Sequence, residues 1–262
     1  MFGTVNPTDD IMHVKASYVG DYSDGAVLAT LVKPTAAEPF RSVTVNYTKL
    51  IRDRDFLCLE ASGVLHFANG ERVGYLMLHS IESPLVQPLP NVIRAKHNIT
   101  GFFRQIAPGV IDTFAFDSVE PGGAIMESLL LPVCANALLS ATNYVECGLM
   151  KKLTWMLQRR QAALRVGDMI PLLRHEDVCV TCNRNLQPGC MKSLWKAKCK
   201  MCMGALCFGC KEVKTISFLS PDRKLLRHKI TFCGSCVTMA TRANAMDAAR
   251  DQANGYQPYN SW

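Results

Sequence analysis

Long apolar runs are missing from this chain. The most hydrophobic stretch, Ala124 to Ala141, is interrupted by Glu127, Pro132 and Asn136, well short of the ~20 unbroken apolar residues a membrane-spanning helix needs. Missing too is a secretory signal: Met1-Phe2-Gly3-Thr4-Val5 has neither a basic start nor an apolar core of signal length. Cysteine is scarce over most of the length. Of twelve, only Cys58, Cys134 and Cys147 lie outside the interval Cys179–Cys236. A disulfide framework belongs with secretion, so the expectation is a soluble, reduced, cytoplasmic protein. Catalytic signatures are lacking as well. No nucleophile elbow, phosphate-binding loop or His-Glu-x-x-His pattern occurs. The dipeptide His79-Ser80 near Glu82 does not make a nucleophile–base pair, because adjacent residues of a strand face opposite ways. The chain is therefore expected not to be an enzyme.

Acidic residues are sparse in the last third. Residues 1–170 carry 15 Lys/Arg against 16 Asp/Glu, whereas residues 171–262 carry 14 against 6. Between Cys179 and Cys236 there are 11 basic residues and only Glu212 and Asp222. Eight thiolates on two divalent ions would reduce this excess but leave about +5. A small volume so charged suits an anionic partner. A solvated lysine face that merely offsets the thiolates is the plainer alternative.

The cysteines of that interval form four Cys-x-x-Cys turns: Cys179/Cys182, Cys199/Cys202, Cys207/Cys210 and Cys233/Cys236. One such turn aims two thiolates at one ion, and two turns close a tetrahedral Zn(Cys)4 site. Four turns imply two structural Zn2+ ions, with no open coordination position left for catalysis. The gaps between ligands run 2, 16, 2, 4, 2, 22 and 2 residues. In a cross-brace the first and third pairs share one metal, here Cys179, Cys182, Cys207 and Cys210. The second and fourth share the other, here Cys199, Cys202, Cys233 and Cys236. Cys190 is left over.

The rest reads as α+β. Ile11–Val19 and Val27–Val32 are short apolar stretches of helical character. Strand-like runs follow at Ser42–Tyr47, Phe56–Glu60, Gly74–Ser80, Val92–Thr100 and Val110–Phe116, with turn signals at Ala68-Asn69-Gly70, Ala107-Pro108-Gly109 and Glu120-Pro121-Gly122-Gly123. Consecutive strands suggest an antiparallel sheet. A single long helix is expected from Asn136 to Arg165, with Leu138, Val145, Leu149, Leu153, Met156 and Leu157 on one face and Lys151, Lys152, Arg159 and Arg160 mostly off it. The expected divisions are a first domain over 1–165, a linker over 166–178, a finger over 179–240 and a helical, then frayed, tail over 241–262.

With eight cysteine ligands at these gaps, the finger resembles FYVE-type zinc fingers. RING and PHD fingers are related cross-braces that place a histidine at an interior ligand position, where this chain has Cys207. FYVE domains bind phosphatidylinositol 3-phosphate on endosomal membranes, which the resemblance implies here. The reading elements depart from the family. Ile170-Pro171-Leu172-Leu173 stands in place of Trp-x-x-Asp, Trp195-Lys196-Ala197-Lys198-Cys199-Lys200 in place of Arg-Arg-His-His-Cys-Arg, and Thr231-Phe232-Cys233 in place of Arg-Val-Cys. Lys192, Lys196, Lys198 and Lys200 are the residues offered to a headgroup or anionic surface, as point charges rather than bidentate forks. By the same resemblance, Met191, Leu194 and Trp195 are the candidates for insertion into the bilayer.

The first domain resembles START-like, helix-grip lipid-binding domains through Arg54-Asp55-Phe56, Gly74-Tyr75, His79-Ser80 with Pro84, Val92-Ile93-Arg94 and Lys151-Lys152-Leu153-Thr154-Trp155-Met156-Leu157. Measured against that family, the chain starts part-way into the domain. The resemblance implies an antiparallel sheet wrapped on a long C-terminal helix, with an apolar lipid ligand between them. The function expected is a non-enzymatic zinc protein that associates with anionic membrane lipid, at endosomes, and binds or moves a lipid. The alternative is a zinc-scaffolded protein–protein interaction module without lipid specificity. Nucleic acid is the weakest candidate partner, since no recognised binding pattern surrounds the basic residues.

Overall fold

The computed structural model describes residues 1–20, 24–49, 53–107, 110–125, 127–166, 177–186 and 197–255. They fall into two compact units. One is Met1–Gly148 together with the end of the last helix from Ala249; the other is Leu149–Ala248. Among the described residues, no helix is long and apolar enough to cross a membrane.

The first unit is mixed α/β around an antiparallel sheet. Helix α1, Asp9–Val19, starts where the Thr8 hydroxyl accepts the Ile11 N–H, with Asp9 and Asp10 in the first turn, and stops at Gly20, whose φ of 70° suits a residue without a Cβ. The sheet strands are β1 Asp24–Val32, β2 Ser42–Lys49, β3 Arg54–His66, β4 Arg72–Ser80, β5 Ile93–Arg94, β6 Lys96–Ala107 and β7 Val110–Glu120. They lie in the order β1-β2-β3-β4-β6-β7, and β5 is a two-residue spur paired parallel with β3. Val27–Val32, given helical character above, is strand. Its β-branched residues pair along β2 with two register shifts, after Val27 and after Thr30.

Register fixes which residues share a face. One row across the sheet runs Asn46–Cys58–Ser80, then to His97 by continuation of the β4–β6 register, then Val119; the next runs Thr44–Glu60–Leu78–Ile99–Asp117. This inner face meets α1, because the Lys15 ammonium reaches Glu60 Oε1 at 3.5 Å and Asn6 Oδ1 at 3.2 Å. Asn46 donates to the other Glu60 oxygen at 2.8 Å. The N-terminal residues Phe2, Thr4, Val5 and Asn6 are buried too, and a Cβ on Gly74 of β4 would strike the Met1 sulfur. At the β3–β5 junction Arg94 clamps Asp55 through Nε at 2.7 Å and Nη2 at 3.2 Å. Arg54 donates to the carbonyls of Pro121 and Gly122.

The single helix expected over 136–165 is two: α2 Glu127–Ser140 and α3 Asn143–Val166. The break has a local cause. Ser140 Oγ donates to the Ala137 carbonyl and Thr142 Oγ1 to the Leu139 carbonyl, while the Ala141 and Thr142 amides bond three residues back instead of four. The buried stripe of α3 is also displaced. Cys147, Met150, Leu153 and Leu157 are buried, Val145 is 61% exposed, and Lys151 is buried rather than solvated.

The second unit contains β8 Ala197–Lys198 paired with β9 Ala205–Leu206, the hairpin β10 Lys211–Leu219 and β11 Leu225–Cys233, then α4 Gly234–Arg242 and the first residues, 245–248, of α5 Ala245–Ala253. Leu206, Ile216, Phe218, Leu219 and Phe232 are buried. The Lys152 ammonium caps the end of α4, donating to the Thr241 and Ala243 carbonyls at 2.8 and 3.2 Å, where a cation favours the helix dipole. Burial lowers the Lys152 pKa.

Candidate metal centres

The chain's eight paired thiols converge into two quartets. Cys179, Cys182, Cys207 and Cys210 form one, and Cys199, Cys202, Cys233 and Cys236 the other, with the sulfurs of each quartet within 4.8 Å of one another. None of these cysteines is in a disulfide. Cys182 and Cys207 sulfurs stand 3.8 Å apart, and Cys202 and Cys233 sulfurs 3.9 Å. A tetrahedron with metal–sulfur bonds near 2.3 Å has sulfur–sulfur edges of about 3.8 Å, so both donor sets fit a four-coordinate thiolate site. All eight positions named from the sequence lie in these quartets, interleaved along the chain.

Local structure explains the aim of each pair. In the first turn the Asn183 amide bonds the Cys179 carbonyl at 2.9 Å, the Cys179 amide bonds the Arg184 carbonyl at 2.9 Å, and Asn183 is left-handed at φ 55°. The second turn repeats this: Met203 amide to Cys199 carbonyl at 2.7 Å, Cys199 amide to Gly204 carbonyl at 2.9 Å, and Met203 at φ 60°. These knuckles leave backbone N–H groups free to face the sulfurs. Burial pushes the Cys179 thiol up, but N–H groups of Cys207, Cys182 and Thr181 outweigh it and bring the pKa to about 6. Cys199 is brought to about 4, first by the Cys236 thiol and then by N–H groups. The other two pairs sit on helical starts, Cys207 and Cys210 around a 3-10 turn at Phe208–Cys210 and Cys233 as the N-cap of α4.

The two sites differ in shielding. Cys182 is exposed, whereas Cys199, Cys233 and Cys236 are all buried.

Lys198 and Lys200 are exposed, one on each side of Cys199. Lys192, Lys196, Met191, Leu194, Trp195 and Cys190 lie outside the described residues. Apolar exposure is found elsewhere in the unit: Met203 at the second knuckle and Phe208 between Cys207 and Cys210, the latter with the Lys211 ammonium 4.2 Å from its ring centre. Spacing arguments for the ligands gave no reason to single out either. A shallow groove is lined by Ser235, Thr238, Met239, Arg242 and Ala243.

In the first unit, Ser80 and His79 part as strand geometry requires. His79 is exposed, while Ser80 Oγ turns inward to donate to the His97 carbonyl at 3.1 Å and accept the His97 amide at 2.7 Å. The buried Cys58 thiol is 3.5 Å from the same hydroxyl, and burial pushes its pKa up to about 11.

No family model matches the sequence, and no curated protein matches it. Among solved structures, human StAR-related lipid transfer protein 5 aligns with a TM-score of 0.37 and 12% identity over 51% of this chain. Human STARD10 aligns with a TM-score of 0.35 and 13% identity over 63% of this chain. The alignments span 62% and 63% of those two chains.

Proposed function

We propose that this chain is a non-enzymatic protein in which two structural Zn2+ ions hold a basic finger that meets anionic membrane lipid, joined to a START-like unit that binds a lipid. The observation that carries the zinc scaffold is the pair of interleaved cysteine quartets with tetrahedral sulfur spacing. Thiolate-only ligation favours zinc among the abundant divalent ions. Four sulfurs also complete its coordination, so the role is structural. Zn2+ would neutralise half of each quartet's charge and tie the knuckles to the α4 and 3-10 starts. Lipid attraction is supported by the exposed Lys198 and Lys200 beside the second quartet and the exposed Met203 and Phe208. Each lysine near an anionic surface is worth about 1 kcal/mol. The helix-then-meander order and the buried inner sheet face support the lipid-binding reading of the first unit. Peripheral residence on endosomal membrane belongs to the same proposal.

Flotation of the zinc-loaded chain with liposomes differing only in phosphoinositide tests it, against a variant with alanine at Lys196, Lys198 and Lys200. Preference for phosphatidylinositol 3-phosphate that fails in the variant supports specific reading. Equal binding to all anionic liposomes reduces the finger to a charge-driven patch. Absence of flotation at physiological salt favours the second reading, a zinc-scaffolded platform for a protein partner, which the groove along α4 at Ser235–Ala243 also suits.

A further inference from the structure

Strand β7 ends the sheet order, with β6 as its neighbour on one side. Among the described residues, no backbone group outside β6 bonds to the backbone of β7. A sheet edge is a row of unmet N–H and C=O groups, and proteins blunt it with lysine, proline, bulges or a covering element. The opposite edge is treated in that spirit, since the Val27 amide of β1 donates to the Asp9 carboxylate at 2.5 Å. β7 lacks such devices. It contains neither lysine nor proline, and its pairing with β6 is unbroken from Ile111 to Glu120. Its carboxylates Asp112 and Asp117 are engaged inside the chain, with Arg104 at 3.0 Å and His97 at 2.8 Å.

The side chains beside this edge are apolar where they meet water. Phe114 and Phe116 are 62% and 60% exposed. Phe102 of β6 stacks against Phe114 with ring centres 6.4 Å apart. Register carries the strip inward from Phe114 through Phe102 to Tyr75, and from Phe116 through Thr100 to the exposed Met77. Contiguous exposed apolar surface of this kind marks an interaction site.

We propose that β7 pairs antiparallel with β7 of a second copy of this chain about a two-fold axis, joining the two sheets edge to edge. The proposal goes beyond the zinc and lipid readings and rests on neither. Full-length pairing sets Val110 opposite Glu120 and places the axis at Ala115. Phe114 then faces Phe116 of the second copy, and the same pair recurs across the axis. Asp112 faces Ser118, Thr113 faces Asp117 and Ile111 faces Val119, so no two like charges stand opposite each other. Other registers are poorer. A one-residue slip opposes inner to outer side chains, and centring on Phe116 brings Asp112 against Glu120. The register with the most backbone bonds is thus the one the side chains favour, which is the self-complementarity a two-fold interface requires. That match singles out a second copy over an unrelated partner, whose strand would have to supply the complement independently. Eleven residues give a seam about 37 Å long, comparable with the ~30 Å breadth of an interface burying ~800 Å² per partner.

Sedimentation velocity of the zinc-loaded full chain, from about 1 to about 300 µM, tests this. The expected result is a monomer that becomes a dimer, and nothing larger, as concentration rises. Two variants read the register. Phe114→Lys with Phe116→Lys opposes like charges twice and should weaken the dimer at least about tenfold. Phe114→Lys with Phe116→Glu loses the same aromatic surface but opposes unlike charges twice, so it should dimerise at least about tenfold more tightly than the first variant. Both positions are exposed, and the melting temperatures of the variants should stay close to wild type. A wild-type chain that is monomeric throughout would overturn the proposal and give the strip to a partner of another kind. Association as strong in the doubled-lysine variant as in wild type would overturn it too, as would equal association of the two variants.

Discussion

The backbone N–H of Lys200 donates to the carbonyl of Thr231 at 2.9 Å, two residues ahead of Cys233. The N–H of Val180 makes the same bond at the same length to Ala205, two residues ahead of Cys207. Each knuckle therefore hydrogen-bonds the strand that delivers its partner pair of cysteines. The two sites are built by one rule applied twice, and the ligand partition is written into the backbone as well as the sulfurs.

Metal content should follow that partition. The loaded chain is expected to hold two zinc equivalents by elemental analysis. Cys199→Ser should lose one equivalent and keep the site of Cys179, Cys182, Cys207 and Cys210; Cys210→Ser should do the reverse. Retention of both ions in Cys199→Ser would refute the pairing. Under a competing chelator the first site should empty first, because Cys182 is exposed while three ligands of the second site are buried. Acid should release both ions, since binding requires the thiolate form.

Gly204 is the point where the two knuckles touch. A Cβ there would come within 2.8 Å of the Val180 side chain, so Gly204→Ala should destabilise the finger by about 1–3 kcal/mol through overpacking. Gly209 has nothing within 4 Å of the corresponding position. Gly209→Ala is therefore the matched control, and its melting temperature should stay close to wild type.

Asp55 is fully buried and Arg94 is half-buried, and they meet through two hydrogen bonds. Arg94→Met removes the charged partner of a buried carboxylate and should cost about 3–5 kcal/mol in denaturant unfolding. Arg41, paired with Glu38 at 2.8 Å on the surface, is the contrast: Arg41→Met should leave the unfolding midpoint unchanged.

Alkaline stability should report on Cys58. Its thiol ionises at about 11 in the fold, against 9.0 for the unshifted group, because burial disfavours the thiolate. Between those values the unfolded chain has released the proton and the folded chain still binds it. Stability thus falls as pH rises from about 9 to 11. Cys58→Ala should flatten the fall of melting temperature across that interval, at fixed zinc. An unchanged slope would place the loss elsewhere.

The metal ligands were legible in the sequence because a Cys-x-x-Cys turn is a local object: two residues and the bond geometry of one ion decide it. The strands around Ser42–Tyr47, Phe56–Glu60 and Gly74–Ser80 were legible through alternation and turn residues. Val27–Val32 was not, since a short apolar run has no period of its own and took its conformation from β2. The division of the long helix was hidden in Ser140 and Thr142, whose hydroxyls compete for backbone carbonyls only once the turn exists. Asp117 was invisible for a different reason. A lone aspartate in a strand carries no signal, and its place in a buried row depends on the register of four other strands.

Interleaving has a topological consequence for how the finger could be cut. A protease nick at the hairpin tip between Ser220 and Lys224 would leave Cys179, Cys182, Cys207 and Cys210 together on the upstream fragment. The other quartet would be shared, Cys199 and Cys202 upstream with Cys233 and Cys236 downstream. One ion would then travel with its fragment, while the other became a rivet joining two separate chains, leaving the β10–β11 pairing to hold the severed tail once that single metal was withdrawn.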